Sequence, residues 1–242
     1  MLVSLSKLGE AQLQGGDTKA ALDSWRRSLD IAQKLANDKS NAEAQRDLLV
    51  SFYKLGIVEE DSYRYEEAVG WYKKGLEVLQ DHPRSDTFKQ DVAILTKRLA
   101  YCETAAKAVA DLDFAMKQPT ELVPRLLADR IGAWRHKGKH AELTATADKL
   151  LTVADVPVNV AGTNIYDAAG GYALASTCAD ADDTQKEAHA AKAVALLKAA
   201  RDKGYFKTKR VVEHAKKDPF LDPLRQREDF KVLLAELEKD AK

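Results

Sequence analysis

The sequence predicts an all-α protein, built as a right-handed superhelical solenoid of antiparallel helix pairs with a C-terminal capping helix. Three observations favour this fold class. Apolar residues recur at helical spacing along most of the 242 residues. Glycine and proline interrupt that spacing where short turns are needed, and one pattern of large and small residues returns further along the chain. A single helical pair leaves an apolar face bare, and stacking of pairs buries it.

The composition excludes several classes of protein. Hydrophobic residues make up 45% of the chain and charged residues 31%, with 12 glycines and 6 prolines, so wholesale disorder is not expected. The 38 basic residues balance the 38 acidic residues, and no net charge draws the whole chain to nucleic acid or to an anionic membrane. No apolar run approaches the roughly 18 residues of a membrane span, and the first residues do not resemble a signal peptide.

The two cysteines, Cys102 and Cys178, lie far apart and have no partner at metal-ligand spacing. We interpret both as buried apolar residues of a reducing compartment, and we expect a cytoplasmic location. The chain enters an amphipathic helix at its first residues, which suggests one continuous domain cut from a longer protein.

The first repeat unit lies at the start of the chain, and a second unit copies its spacing. In both units a glycine precedes an alanine by twelve residues and an aromatic residue by sixteen. A break at Gly15-Gly16-Asp17 separates the two halves of the first unit. The residues that define the repeat are Leu5, Leu8, Gly9, Ala21 and Trp25 in the first unit, and Phe52, Leu55, Gly56, Ala68 and Tyr72 in the second.

These spacings resemble the tetratricopeptide repeat (TPR), whose 34-residue signature contains Leu-Gly followed by Ala-x3-aromatic. The resemblance implies two antiparallel helices that cross closely where Gly9 meets Ala21, and where Gly56 meets Ala68, with the large residues filling the space to the next pair. The copies here are 47 residues apart. The extra residues form a charged, alanine-rich segment that we expect to lengthen the flanking helices.

The rest of the chain repeats the pattern less clearly. In the third copy Arg98 replaces the glycine, while Ala110 and Phe114 keep their spacing. The segment Thr177–Ala190 is predicted to be a long loop between the two helices of a later copy. Within it, Thr184-x-x-Glu187 is a capping-box pattern that predicts the start of a helix running to Lys203, and Gly204 predicts the end of that helix. The predicted division is 1–83, two well-formed units; 84–119, a degenerate unit; 120–155, a helical pair; 156–204, a degenerate unit with a long internal loop; and 205–242, a C-terminal cap.

The segment Phe220–Leu237 predicts the cap, since its apolar residues repeat at helical spacing and the apolar face of a terminal unit needs to be covered. The alternative is that this segment is a binding motif.

From Asn164 onward, NIYDAAGGYALAS, AVALLKAARDKGY and DPFLDPLRQREDF are similar to the C-terminal TPR region of large bacterial eukaryotic-like serine/threonine protein kinases. The chain has no glycine-rich loop, VAIK, HRD or DFG motif. The resemblance therefore implies that any kinase domain lies upstream, and that this chain is not an enzyme.

No pattern of residues predicts chemistry, a cofactor or a metal. His136 and His140 are four residues apart, but Gly138 between them breaks the helix that a zinc site would need. The acidic loop with Asp180 and Asp182 lacks the glycine and the glutamate of a calcium loop. We expect no catalytic residue, because no convergent polar set is present.

The resemblance places the partner-binding surface on the first helix of each pair, where a protein or peptide would lie in a concave groove. Lys7 and Lys54 suit the carboxylate clamp of TPR proteins that bind chaperone C-termini, but Glu10 and Ile57 stand where that clamp needs asparagine. We therefore expect a mixed apolar and polar groove for another partner. Self-association of the chain into a homo-oligomer stays open. The predicted groove residues are Val3, Ser6, Lys7, Glu10, Leu13, Val50, Tyr53, Lys54 and Ile57.

A basic segment, 198–217, is the remaining feature. Its cations are Lys198, Arg201, Lys203, Lys207, Lys209, Arg210, Lys216 and Lys217. Acidic residues interrupt it, and a solvated face is the favoured interpretation. The alternative is that this segment binds nucleic acid or another anionic ligand, with an affinity that falls steeply with salt.

Overall fold

A computed structural model of the chain describes residues 2–38, 41–80, 86–135, 137–155 and 160–241. Throughout these ranges the fold is helical and contains no strand, which confirms the all-α class. The helices are α1 (Leu2–Gln14), α2 (Thr18–Leu35), α3 (Ala42–Asp61), α4 (Tyr65–Gln80), α5 (Asp86–Ala110), α6 (Leu112–Met116), α7 (Val123–Trp134), α8 (His140–Leu150), α9 (Thr163–Ala175), α10 (Asp183–Asp202), α11 (Lys209–Lys217), a 3₁₀ helix (Pro219–Leu224) and α12 (Glu228–Asp240).

The chain divides into two compact units, Met1–Ala106 and Lys107–Lys242, called here the N-terminal unit and the C-terminal unit. The boundary falls inside the segment 84–119. In the N-terminal unit α1 packs on α2, α2 on α3 and α3 on α4. In the C-terminal unit α7 packs on α8, α8 on α9 and α9 on α10. Within each unit, these helices pack on their neighbours in the sequence, as helical pairs do.

Local capping explains where the helices of the N-terminal unit begin. Gly16 adopts a φ of +83° between α1 and α2, a conformation that glycine adopts without strain. Asp17 then caps α2, since its Oδ1 accepts from the Ala20 backbone N–H at 3.0 Å. Asn41 caps α3 in the same way, through the Ala44 N–H at 3.1 Å.

The repeat glycines lie against the aromatic rings of the following helices. The three atoms nearest to a Cβ placed on Gly9 all belong to the ring of Trp25, and those nearest to a Cβ on Gly56 all belong to Tyr72. A side chain at either glycine would therefore meet the aromatic residue sixteen positions later. The alanines, Ala21 among them, are fully buried in the core beside these rings.

The core of the N-terminal unit lies between α2 and α3, with support from α1 and α4. Its buried residues are Ala21, Trp25, Leu29, Phe52, Leu55 and Val58. One repeat-defining residue was predicted wrongly: Leu8 is 47% exposed and fills no gap between helical pairs. The reason is the position of Gly9, which must face Trp25. Leu8 precedes Gly9 by one residue, so its side chain is turned away by about 100° around the helix.

Two predicted features of the later helices need correction. The capping box of α10 is formed by Asp182 and Gln185, whose side chains each accept from the other's backbone N–H, and not by Thr184 and Glu187. Because α10 already begins at Asp183, the loop after α9 covers only residues 176–182. Gly204, with a φ of +90°, follows the end of α10 as predicted.

The third copy of the pattern forms a different structure from the first two. Ala110 is the last residue of α5 and does not begin a second helix. Asp111 then adopts an extended conformation and caps α6 by accepting from the Phe114 N–H at 3.0 Å. The second helix of this copy is therefore only five residues long.

The last helices cover the pair formed by α9 and α10. The 3₁₀ helix packs on both of these helices, and α12 packs on α10 and α11. The apolar residues Phe230, Leu233 and Leu237 of α12 are buried. This packing removes apolar surface of the last helices from water.

Candidate functional site

A hollow of about 240 Å³, called here the polar hollow, lies against α1, α2 and α3 of the N-terminal unit. Its lining consists of Ser6, Lys7, Glu10, Ser28, Asp47, Val50, Ser51 and Lys54. Five of these residues belong to the predicted groove, and α1 and α3 bring them around one space. Helical spacing accounts for this, since residues three and four positions apart share a helix face.

Lys54 joins α3 to α1 across the polar hollow. Its ammonium nitrogen lies 2.6 Å from Glu10 Oε1 and donates to Ser6 Oγ at 2.5 Å. The Lys54 side chain is 22% exposed and that of Glu10 is 51% exposed, so solvent screens the ion pair and leaves it a stability of about 0–1 kcal/mol. Its main consequence is electrostatic, because Glu10 already balances the charge of Lys54.

A second hollow of about 130 Å³, called here the apolar hollow, adjoins the first. Its lining consists of Arg46, Leu49, Val50, Tyr53, Asp91, Ile94 and Leu95. Leu49 and Leu95 are buried, whereas Val50 is 37% exposed and Ile94 is 47% exposed. Val50 lines both hollows, so together they form one surface that runs from α1 across α3 to α5.

Arg98 and Glu60 support Tyr53, an aromatic residue in the wall of the apolar hollow. The Arg98 guanidinium lies 5.5 Å from the centre of the Tyr53 ring, and its Nη1 donates to Glu60 Oε2 at 2.9 Å. The Tyr72 hydroxyl donates to the same Glu60 oxygen at 2.8 Å. Burial, and then this hydrogen bond, raise the pKa of Tyr72. Burial alone would lower the pKa of Arg98, but the hydrogen bond and the charge of Glu60 raise it overall.

Two predicted groove residues, Leu13 and Ile57, line neither hollow, and the side chain of a third is not described. Leu13 packs against the core of the N-terminal unit, because it lies one helical turn after Gly9 and shares its face. Ile57 is half-buried and lines neither hollow. The side chain of Val3 lies outside the described residues.

Sequence reasoning also missed lining residues of two kinds. Some lie on helices where the groove had been predicted, among them Asp47 and Arg46, which share a face of α3 with Val50. Their helical spacing from Val50 was a usable signal. Others lie on helices to which the groove had not been extended: Ser28 on α2, and Asp91, Ile94 and Leu95 on α5, where the pattern is degenerate.

In the C-terminal unit, His140 and Asp180, which we considered as metal ligands from the sequence and set aside, contact each other. Asp180 Oδ1 accepts from the backbone N–H of His140 at 3.1 Å and lies 3.0 Å from its ring Nδ1. Asp180 thereby caps α8 from the loop that follows α9, and these hydrogen bonds lower its pKa. His136 lies outside the described residues. Among the residues that are described, no three histidine, cysteine or acidic side chains are arranged to hold a metal ion.

The basic segment 198–217 is partly neutralised by neighbouring acids. Arg201 Nη1 lies 2.7 Å from Glu236 Oε2, a residue of α12. Lys216 lies 2.8 Å from Glu213 and 2.9 Å from Glu238. The acidic side chains of α12 therefore reduce the positive potential that this segment presents to an anion.

Both cysteines are buried free thiols, as predicted, and burial raises the pKa of Cys178. None of the helices in the described ranges is long and apolar enough to span a bilayer. No protein-family model matches the chain, and comparison with curated proteins gives no match either. What the chain does is therefore inferred from the chemistry of its surfaces.

Proposed function

We propose that the chain is a non-catalytic protein-interaction scaffold, and that the polar and apolar hollows bind a peptide or helix of a partner protein. One observation carries this proposal: Val50 lines both hollows, which makes them a single surface with charged side chains in both hollows and the exposed apolar side chains of Val50 and Ile94 beside them. Polar groups that fix orientation beside an apolar anchor site are typical of peptide-binding surfaces.

The proposal takes the helical pairs as TPR-like units of a right-handed superhelix. Its support is the sixteen-residue spacing from Gly9 to Trp25 and from Gly56 to Tyr72, which brings each glycine against its ring. In such a superhelix the first helices of successive pairs line the concave side. The two hollows lie against α1, α3 and α5 and would then belong to that side.

We further propose that the chain is the regulatory or docking region of a bacterial serine/threonine kinase, in the cytoplasm, with the catalytic domain upstream. The support is the similarity that begins at Asn164. Reading the gene upstream of residue 1 tests this part of the proposal. A reading frame without a catalytic domain would contradict it and would leave the binding proposal unaffected.

The binding proposal is tested by affinity purification from the source organism with wild-type and variant chains. The variant Lys7→Glu with Tyr53→Ala changes one residue in each hollow. The matched control is Val232→Ala, which lies on α12 and is 57% exposed. We expect one or more partners to be retained by the wild type and the control and lost by the double variant, with all three chains equally helical. Identical partner sets would overturn the proposal.

A further inference from the structure

The charges that line the two hollows cancel. The polar hollow contains two lysines, Lys7 and Lys54, and two acids, Glu10 and Asp47. The apolar hollow adds one cation and one anion, Arg46 and Asp91. A strongly charged segment would lose hydration on binding here without gaining a net attraction.

The least exposed of the three lining cations is also satisfied within the chain. Lys54 is held by Glu10 at 2.6 Å and by Ser6, so an incoming carboxylate would have to displace Glu10 to reach it. Displacement exchanges one exposed ion pair for another, which contributes little to affinity. At Lys54, the polar hollow therefore favours hydrogen-bonding groups over a carboxylate.

The size of the apolar hollow limits what it can hold. Its volume is about 130 Å³. An engineered apolar cavity of about 150 Å³ in another protein binds benzene, so this space suits one branched aliphatic or phenyl side chain. Leu49 and Leu95 are buried within its lining, and Val50 and Ile94 offer exposed apolar surface around it.

We infer that the hollows bind a polypeptide segment that has no net charge where it contacts them and that inserts one branched aliphatic or phenyl side chain into the apolar hollow. This inference rests on the proposed function and specifies the partner. Affinity comes mainly from apolar burial, which salt does not screen. Binding should therefore change by no more than about twofold between about 50 and 500 mM salt.

The experiment selects binders of the full-length chain from a phage-displayed library of random peptides. The selected peptides are synthesised, and their affinities are measured at both salt concentrations. We expect sequences with one shared leucine, isoleucine or phenylalanine position and no excess of acidic or basic residues. Their affinity should change by no more than about twofold with salt.

Two variants of the chain locate the binding site. Ile94→Asp places a charge beside the anchor at a position that is 47% exposed, and Val232→Asp places the same charge on α12 at a position that is 57% exposed. We expect a loss of at least about tenfold in affinity for Ile94→Asp and a change within about twofold for Val232→Asp. Ile94→Ser removes the apolar surface without adding charge, and we expect it to weaken binding as well. It replaces Ile94→Asp in the test if the aspartate disturbs the fold.

A third variant tests the role of charge. Glu10→Gln releases Lys54 and gives the lining a net positive charge. We expect the affinity of the selected peptides for this variant to remain independent of salt, within about twofold between about 50 and 500 mM, because a segment without net charge gains no attraction from the added positive charge. A gain of about tenfold that salt abolishes would indicate an acidic partner and overturn the inference.

The remaining outcomes separate the inference from the proposed function. Selected peptides that are rich in one charge, salt-sensitive and weakened by Ile94→Asp would overturn the neutral segment while leaving the hollows as the binding site. Selected peptides whose affinity is unchanged by Ile94→Asp, by Ile94→Ser and by the double variant Lys7→Glu with Tyr53→Ala would overturn both the neutral segment and the hollows as the binding site. A library that yields no binder would also count against both.

Discussion

Gly9 lies against the indole ring of Trp25, so closely that a Cβ at position 9 would be 2.5 Å from Trp25 Nε1. The ring is held in place because the same Nε1 donates a hydrogen bond to the Ser6 carbonyl at 3.2 Å. Trp25 is 3% exposed and part of the core, so a shift of its ring would disturb the residues packed around it. The glycine is therefore required by packing, although it lies within a helix.

We predict that Gly9→Ala destabilises the protein by about 1–3 kcal/mol, the usual cost of overpacking. Alanine is the better helix former by about 1 kcal/mol, so steric overlap with Trp25 has to outweigh that gain.

Gly70→Ala is the matched control. Gly70 also lies within a helix, α4, and a Cβ there would meet no atom within 4 Å. It should stabilise the protein by up to about 1 kcal/mol. Denaturant unfolding measures the free energy of unfolding of both variants. Equal stability of Gly9→Ala and Gly70→Ala would contradict the role of packing at Gly9.

Arg130 is the largest buried polar side chain of the C-terminal unit, with 2% of its surface exposed. It donates to Thr146 Oγ1 at 3.0 Å and to the Ala108 carbonyl at 3.1 Å, and it forms an ion pair with Glu142. Burial lowers the pKa of Arg130, although the charge of Glu142 opposes this effect.

We predict that Arg130→Met destabilises the C-terminal unit by about 2–4 kcal/mol, because it leaves the buried partners of the guanidinium without a donor. Glu142→Gln should cost less, about 1 kcal/mol or below, since the Glu142 side chain is 40% exposed and its amide can still accept a hydrogen bond. Thermal and denaturant unfolding measure both effects. Equal losses in the two variants would mean that the ion pair, and not the buried hydrogen bonds, is what matters.

The early helices were predictable because their packing depends on residues at fixed local spacing. Gly9 with Trp25, and Gly56 with Tyr72, place one helix on the next, and helical periodicity then brings Ser6, Glu10 and Lys54 around one space. The orientation of α1 was not fully predictable. Leu8 and Leu13 are both apolar, and the contact of Gly9 with Trp25 turns the helix face that carries Leu13 toward the core.

The contribution of α5 to the site could not be predicted for a different reason. Arg98 occupies the position of the repeat glycine, so the local rule that orients α1 and α3 does not apply to α5. Its orientation depends instead on long-range contacts, such as the ion pair of Arg98 with Glu60 and the contact of Arg98 with Tyr53. Ile94 and Asp91 reach the apolar hollow as a consequence. Sequence spacing alone contains no information about these contacts.

The alternative role of segment 198–217 gives a further prediction. Arg201 and Lys216 are paired with acidic side chains, so we expect weak binding of a 20-base-pair DNA duplex and little dependence on Lys207, Lys209 and Arg210. Replacing these three residues by alanine should change DNA affinity by less than about threefold at physiological salt. Fluorescence anisotropy over a salt series measures the effect. A steep loss of affinity with salt that the triple variant removes would contradict the scaffold proposal in favour of an anion-binding one.

Asp167 makes the stability of the C-terminal unit depend on pH. Burial, together with the charges of Asp218, Asp129 and Asp155, raises the pKa of its carboxyl from 3.8 to about 7. The folded protein therefore keeps a proton on Asp167 at pH values where the unfolded chain has lost it. Since the folded state binds more protons between pH 3.8 and about 7, the contribution of Asp167 to stability falls as the pH rises through this window.

We predict that Asp167→Asn raises the free energy of unfolding at pH 8 by about 1–3 kcal/mol, because each pKa unit corresponds to about 1.4 kcal/mol and the amide carries no charge. The gain should shrink as the pH is lowered and disappear near pH 4. Asp183→Asn is the control, because Asp183 is fully exposed on α10, and it should change stability by no more than about 0.5 kcal/mol. Denaturant unfolding at pH 4, 6 and 8 provides the measurement. A gain from Asp167→Asn that is equal at all three pH values would show that ionisation of this carboxyl does not limit the stability of the unit.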